Sequence, residues 1–152
     1  MTHSIIKTRK VPILLSLFML LVASCTSIRL ISEYDEITDK AVTALQEKVA
    51  TFFVKIGDEV GTNQGRYENY KQFYQNAKVD LNILKSRADA IDKNKIVQEQ
   101  IAELTKMINN LEMLHKIGFS NSEQIMALQQ PFNAAFTAII KLQLGLKRGE
   151  KK

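Results

Sequence analysis

The stretch from Arg66 to Ile91, RYENYKQFYQNAKVDLNILKSRADAI, sets the fold. Tyr67, Tyr70, Tyr74, Ala77, Leu81, Leu84, Ala88 and Ile91 recur three and four residues apart without a break. A helix turns once in about 3.6 residues, so this spacing lines them along one face. The same rhythm continues on both sides. Val42, Leu45, Val49, Phe52 and Ile56 predict a helix from about Asp35 to Ile56, ending in a loop over 57–65 that carries Gly57, Gly61 and Gly65. Val97, Ile101, Leu104, Ile108 and Leu111 predict another from Lys95 to Lys116, with Asn94 as its cap and Gly118 as its stop. Ile125, Leu128, Phe132, Phe136, Ile139, Leu142 and Leu146 carry the pattern to the end, opened by a Ser120/Glu123 capping box and expected to kink near Gln129 because Pro131 lies inside it. No segment alternates with a period of two. Four apolar stripes joined by short links predict an all-α fold, an antiparallel up-down four-helix bundle over 35–148.

The chain ahead of the bundle has a different composition. Lys7, Arg9 and Lys10 precede the apolar run Val11–Val22, and small residues Ala23 and Ser24 lead to Cys25. A positive end, an apolar run of about a dozen residues and small residues before a cleavage point form the pattern of a secretory signal peptide. The run is shorter than the roughly 20 residues a spanning helix needs. Read on to Leu30 it approaches that length, interrupted by Arg29, so an uncleaved signal anchor is the alternative.

Leu21-Val22-Ala23-Ser24-Cys25 resembles the lipobox of bacterial lipoproteins. The resemblance implies cleavage between Ser24 and Cys25 and a diacylglyceryl thioether, with palmitate-type chains, on the Cys25 thiol. It divides the chain into a signal peptide (1–24), a lipid-anchored tether (25–34), the bundle (35–148) and a basic tail (149–152). More than one acyl chain holds a protein at a membrane durably. Thr26, where an Asp commonly retains such proteins at the inner membrane, implies the outer membrane facing the periplasm if the organism is Gram-negative. The stretches Tyr34–Lys40, Phe73–Leu81 and Phe132–Lys141 are similar to a family of small helical lipoproteins of Gram-negative bacteria. That likeness implies lipid attachment and helices, and no activity or functional residue.

Charge and chemistry narrow the function. The formal charge of +5 is concentrated at the ends: without residues 1–24 there are 18 basic and 16 acidic residues, and residues 25–146 hold 14 and 15. A nucleic-acid surface needs basic residues clustered on one face, so no nucleic-acid partner is expected. Cys25 is the only cysteine, which leaves no disulfide within the chain and no cysteine zinc site. Glu112-Met113-Leu114-His115 holds one Glu-x-x-His, and His115 is the only histidine after residue 24, so the second copy needed for a di-iron site is missing. Haem held by His115 with Met107, Met113 or Met126 is conceivable in a bundle, but methionine at helical spacing is more often a core filler. His115 reads as a residue placed to suit the helix dipole. No cofactor or metal is therefore expected. With no nucleophile set beside a base, neither is an enzyme.

Two surfaces remain. The up-down order puts loop 57–66 and the turn 118–121 at the end farthest from Cys25, making Gly61, Asn63, Phe119 and Asn121 candidates for contact with a protein of the cell envelope. The basic tail falls at the opposite end, where its charges would meet anionic headgroups. Tyr67, Tyr70 and Tyr74, with Phe73, form an aromatic cluster. It reads as core, or alternatively as a site for a cell-wall sugar or small ligand.

Overall fold

The computed structural model describes residues 31–150. Four helices follow one another: α1 (Glu36–Glu59), α2 (Tyr67–Ala90), α3 (Lys95–Ile117) and α4 (Ser122–Gly149). α1 packs on α2 and α4, α3 packs on the same two, and the diagonal pairs do not approach, so the helices form a ring in chain order. This is the antiparallel all-α bundle that the stripes predict.

The core is built from those stripes. Val42, Ile56, Tyr74, Ala88, Ile101, Leu104 and Ile139 are fully excluded from solvent. Burying a large aliphatic side chain is worth about 1.5–3 kcal/mol, and each helix supplies several, so packing rather than propensity holds the helices. Gln143 occupies a place in the α4 stripe where Leu142 is expected; it is buried, and its Oε1 finds no hydrogen-bond partner.

Both ends are tied by side chains. At the end where α1 begins, the Asp35 carboxylate accepts from the Thr38 amide at 3.1 Å and so caps the helix. It also receives Arg87 of α2, whose Nη2 lies 2.5 Å from Oδ1. The Ser32 amide donates to the Lys93 carbonyl at 3.1 Å, and the Tyr34 amide to Glu150 Oε1 at 2.9 Å. The folded body thus begins near Ser32, and the segment 32–34, read as tether from the sequence, is bound to both the α2–α3 turn and the end of α4.

Several helix ends differ from the sequence reading. α1 continues one turn past Ile56, through Gly57 to Glu59. Glycine costs about 1 kcal/mol inside a helix. Here Val60 packs against the core and the Tyr70 hydroxyl donates to Glu59 Oε2 at 2.6 Å, which holds the extra turn. Asn94 stands at the start of α3 but does not cap it. Its amide instead donates to the Ala88 carbonyl at 3.2 Å, and its Oδ1 accepts from the Ser32 hydroxyl. α4 is capped one residue later than the Ser120/Glu123 pairing: Asn121 Oδ1 accepts from the Gln124 amide at 2.9 Å, while Gln124 Oε1 accepts from the Ser120 amide at 2.7 Å. Pro131 lies within α4, which is assigned as helix throughout. The ring is on the exposed side, where the carbonyl it leaves unpaired can meet water.

Candidate functional site

The loop after α1 and the turn between α3 and α4 meet at the far end of the bundle, and His115 joins them. It lies on the buried stripe of α3 at 2% exposure. Its Nε2 is 2.9 Å from the Gly65 carbonyl, and its Nδ1 is 2.9 Å from the Tyr74 hydroxyl. A carbonyl can only accept, so Nε2 carries the proton and Nδ1 accepts from Tyr74. Phe119 stacks on the imidazole at 4.6 Å between centroids. Burial lowers the His115 pKa, against a smaller opposing effect of the Gly65 carbonyl, and favours the neutral ring. The sequence reading of His115 as a partner of the helix dipole is replaced by this one: the ring is a neutral cross-link.

Gly65 is fixed by the same contact. A Cβ there would come within 2.2 Å of the Glu59 carbonyl oxygen, so only glycine lets the loop close over the end of α1. Gly61 has φ of 82°, the left-handed region that glycine enters without strain.

One turn before His115, Glu112 collects three donors. The Tyr67 hydroxyl reaches Oε1 at 2.7 Å, Lys78 Nζ reaches Oε2 at 2.5 Å, and Lys116 Nζ lies 3.2 Å from Oε1. Burial alone would raise the carboxyl pKa; Lys78, Tyr67 and Lys116 outweigh it and hold Glu112 at about 2. The Glu112 carboxylate in turn raises the Tyr67 hydroxyl, and burial with Glu59 raises Tyr70. Glu112 and His115, one turn apart on α3, are thus bound to different partners. Among the described residues no group of three or more His, Cys, Asp or Glu is arranged to hold a metal ion. The network holds an ionised carboxylate, a neutral imidazole and three protonated phenols, each already bonded to another.

The three tyrosines of the candidate ligand surface turn inward. Tyr74 is fully buried, Tyr70 is 5% exposed and Tyr67 is half-buried. Their rings meet one another, His115, Phe52 and Phe73. Of the three, Tyr70 lines a groove on the surface. This groove, of about 560 Å³, runs between α1 and α2.

The four candidate contact residues lie at one end of the bundle, opposite the start of α1. Gly61, Asn63 and Asn121 are exposed; Phe119 is half-buried against the core. The Asn63 carbonyl accepts from Asn69 Nδ2 at 2.9 Å, which pins the loop to α2. Beside Gly118, Ile117 stands 84% exposed. It falls off the buried stripe of α3, and that placement is the signal by which sequence alone could have singled it out.

No family model, curated protein or solved structure matches this chain. Ser24 and Cys25 lie outside the described residues, as does most of the segment read as tether. Among the described residues no helix is long and apolar enough to cross a membrane.

Proposed function

We infer that this chain is a non-enzymatic lipoprotein of the bacterial cell envelope, held by acylated Cys25, whose bundle binds another envelope protein through its far end. The observation that carries this reading is the far end itself. Ile117, an aliphatic side chain 84% exposed, stands on a surface made rigid by the His115–Gly65 and Asn63–Asn69 bonds and the Phe119 stack. A pre-ordered apolar group costs little conformational entropy when it docks, the property that makes a contact effective. Gly61, Asn63, Phe119 and Asn121, at the same end of the bundle, complete the contact surface in this reading. The lipobox supports the anchor, and Thr26 supports an outer-membrane address if the organism is Gram-negative.

Anchor and contact are tested separately. The Cys25→Ser chain is expected to take up no fatty-acid label in cells, where the unchanged chain does; equal labelling would overturn the anchor. A photo-crosslinking amino acid at position 117 is expected to trap one envelope protein repeatedly, and the same group at exposed Lys141 to trap none. Indistinguishable patterns from 117 and 141 would overturn the far-end contact and leave the anchor standing.

A further inference from the structure

The groove lies between α1 and α2, and its construction says what fits it. Phe52 and Phe73 stack at 4.3 Å with their rings 11° from parallel, and with Tyr70 they give it an aromatic floor. The α1 residues along it run from Ala44 to Lys55, which at the helical rise spans about 16 Å. Two ties join the helices along it. Lys48 bridges to Asp80 at 2.6 Å at one end, and the Tyr70 hydroxyl bonds Glu59 at the other. Length and volume are those of a small-molecule site.

The charge along the groove is uneven. At the Lys48 end the cation is cancelled by Asp80, and Glu47 adds a negative lip. At the other end Lys55 lies over the Tyr70 ring, 5.4 Å from its centroid, and forms no ion pair among the described residues; the carboxylate of Glu59, one turn further along α1, is taken up by the Tyr70 hydroxyl at 2.6 Å. The wall between supplies spare amide groups. Asn69 spends its Nδ2 on the Asn63 and Gln64 carbonyls and leaves Oδ1 to accept. Asn76 spends Oδ1 on Gln72 and leaves Nδ2 to donate.

We propose that this groove binds a small organic anion built on a flat apolar ring, an aromatic carboxylate or sulfonate in type, with the ring on Phe52 and Phe73 and the anion at Lys55. An apolar floor with a few placed polar groups is the usual make-up of a ligand site. An anion at the opposite end would meet Glu47 beside a lysine already paired with Asp80, whereas Glu59 at the Lys55 end is bonded to the Tyr70 hydroxyl, so the groove also fixes which way round the ligand lies. The proposal is independent of the anchor and of the far-end contact.

The test uses naphthalene sulfonate as the probe and the full chain in nanodiscs of uncharged lipid, with empty discs as the blank. Binding is expected to saturate at one probe per chain and to shift the side-chain amide resonances of Asn69 and Asn76. Lys55→Glu is expected to weaken it by about tenfold or more, since it places like charges together. Lys55→Arg is expected to retain it, and so is Lys71→Glu, which alters an exposed lysine outside the groove. Naphthalene sulfonamide, uncharged, is expected to bind like the probe on the Lys55→Glu chain. Circular dichroism of each variant reports whether the bundle is intact. Equal affinity of the Lys55→Glu and unchanged chains would overturn the proposal, as would uptake no greater than by empty discs, or amide shifts absent from Asn69 and Asn76.

Discussion

Leu104→Ala is expected to lower the folding free energy by about 2–5 kcal/mol, the range for a large aliphatic residue truncated in a closed core. Leu104 has no exposed surface, sits midway along α3 and belongs to the single cluster that all four helices build. The neighbouring helices are tied at both ends, which limits how far they can move in to fill the space, and that favours the upper part of the range. Urea unfolding followed by circular dichroism would measure it. Gln98→Ala is the comparison. On sequence grounds Gln98 reads as exposed and its replacement as neutral. In the structure it is half-buried and its Nε2 donates to the Ala88 carbonyl at 3.1 Å, so a loss of about 0.5–1.5 kcal/mol is expected instead. A Leu104→Ala cost no greater than that of Gln98→Ala would mean that α3 does not face the core as described.

His115→Ala is expected to be the second most damaging change, at about 2–4 kcal/mol, because it opens space under Phe119 and leaves the Tyr74 hydroxyl and the Gly65 carbonyl unpaired. Its pH dependence separates it from a simple cavity. Burial depresses the His115 pKa below its ordinary 6.5, so the unfolded chain takes up a proton before the folded chain does. Stability from the neutral ring is therefore complete above pH 6.5 and declines as the pH falls through the depressed folded-state value. The groups facing the ring are Tyr67, Tyr70 and Tyr74 of α2, with Glu68 nearby and Glu112 one turn away on α3; the Gly65 carbonyl and the Glu68 carboxylate oppose the shift without reversing it. A second decline follows at lower pH. Arg87 chiefly holds the Asp35 carboxyl at about 2, and Glu112 sits at about 2, against ordinary values of 3.8 and 4.5. Both carboxylates contribute stability that is present above those ordinary values and lost as the pH falls toward 2. Urea midpoints measured across pH should show both declines in the unchanged chain and only the lower one in His115→Ala. A first decline that survives the substitution would show that His115 is not its source.

The contact at His115 also bears on the far-end surface. With the ring removed, Gly65 loses its tie to α3 and Phe119 its stacking partner, so the loop and the turn are released together. Hydrogen exchange at the amides of 61–65 and 118–121 should rise in concert.

The apolar periodicity of residues 42–146 determined the number of helices, their approximate bounds and the faces that meet. Burying an apolar stripe is the dominant favourable contribution to such a fold, and the stripe is written directly in the residue order. Short links then left antiparallel neighbours as the simple arrangement. What tertiary structure alone decided were the polar details. Asn94 is a good capping residue by type, yet Ser32 and Ala88, distant in sequence, claim its side chain. Gly57 reads as a loop residue, yet the Tyr70–Glu59 bond and the packing of Val60 draw it into α1. His115 reads as a residue placed to suit the helix dipole, yet Gly65 and Tyr74, 50 and 41 residues away, make it a buried neutral link. The groove joins Lys55 to Asn69, Phe73 and Asn76 across a helix pair, and no local pattern announces it. The physical reason is the same in each case. Hydrophobic burial is non-directional and roughly additive along the chain, so it leaves a periodic trace, whereas a hydrogen bond or an ion pair depends on the position of one particular partner.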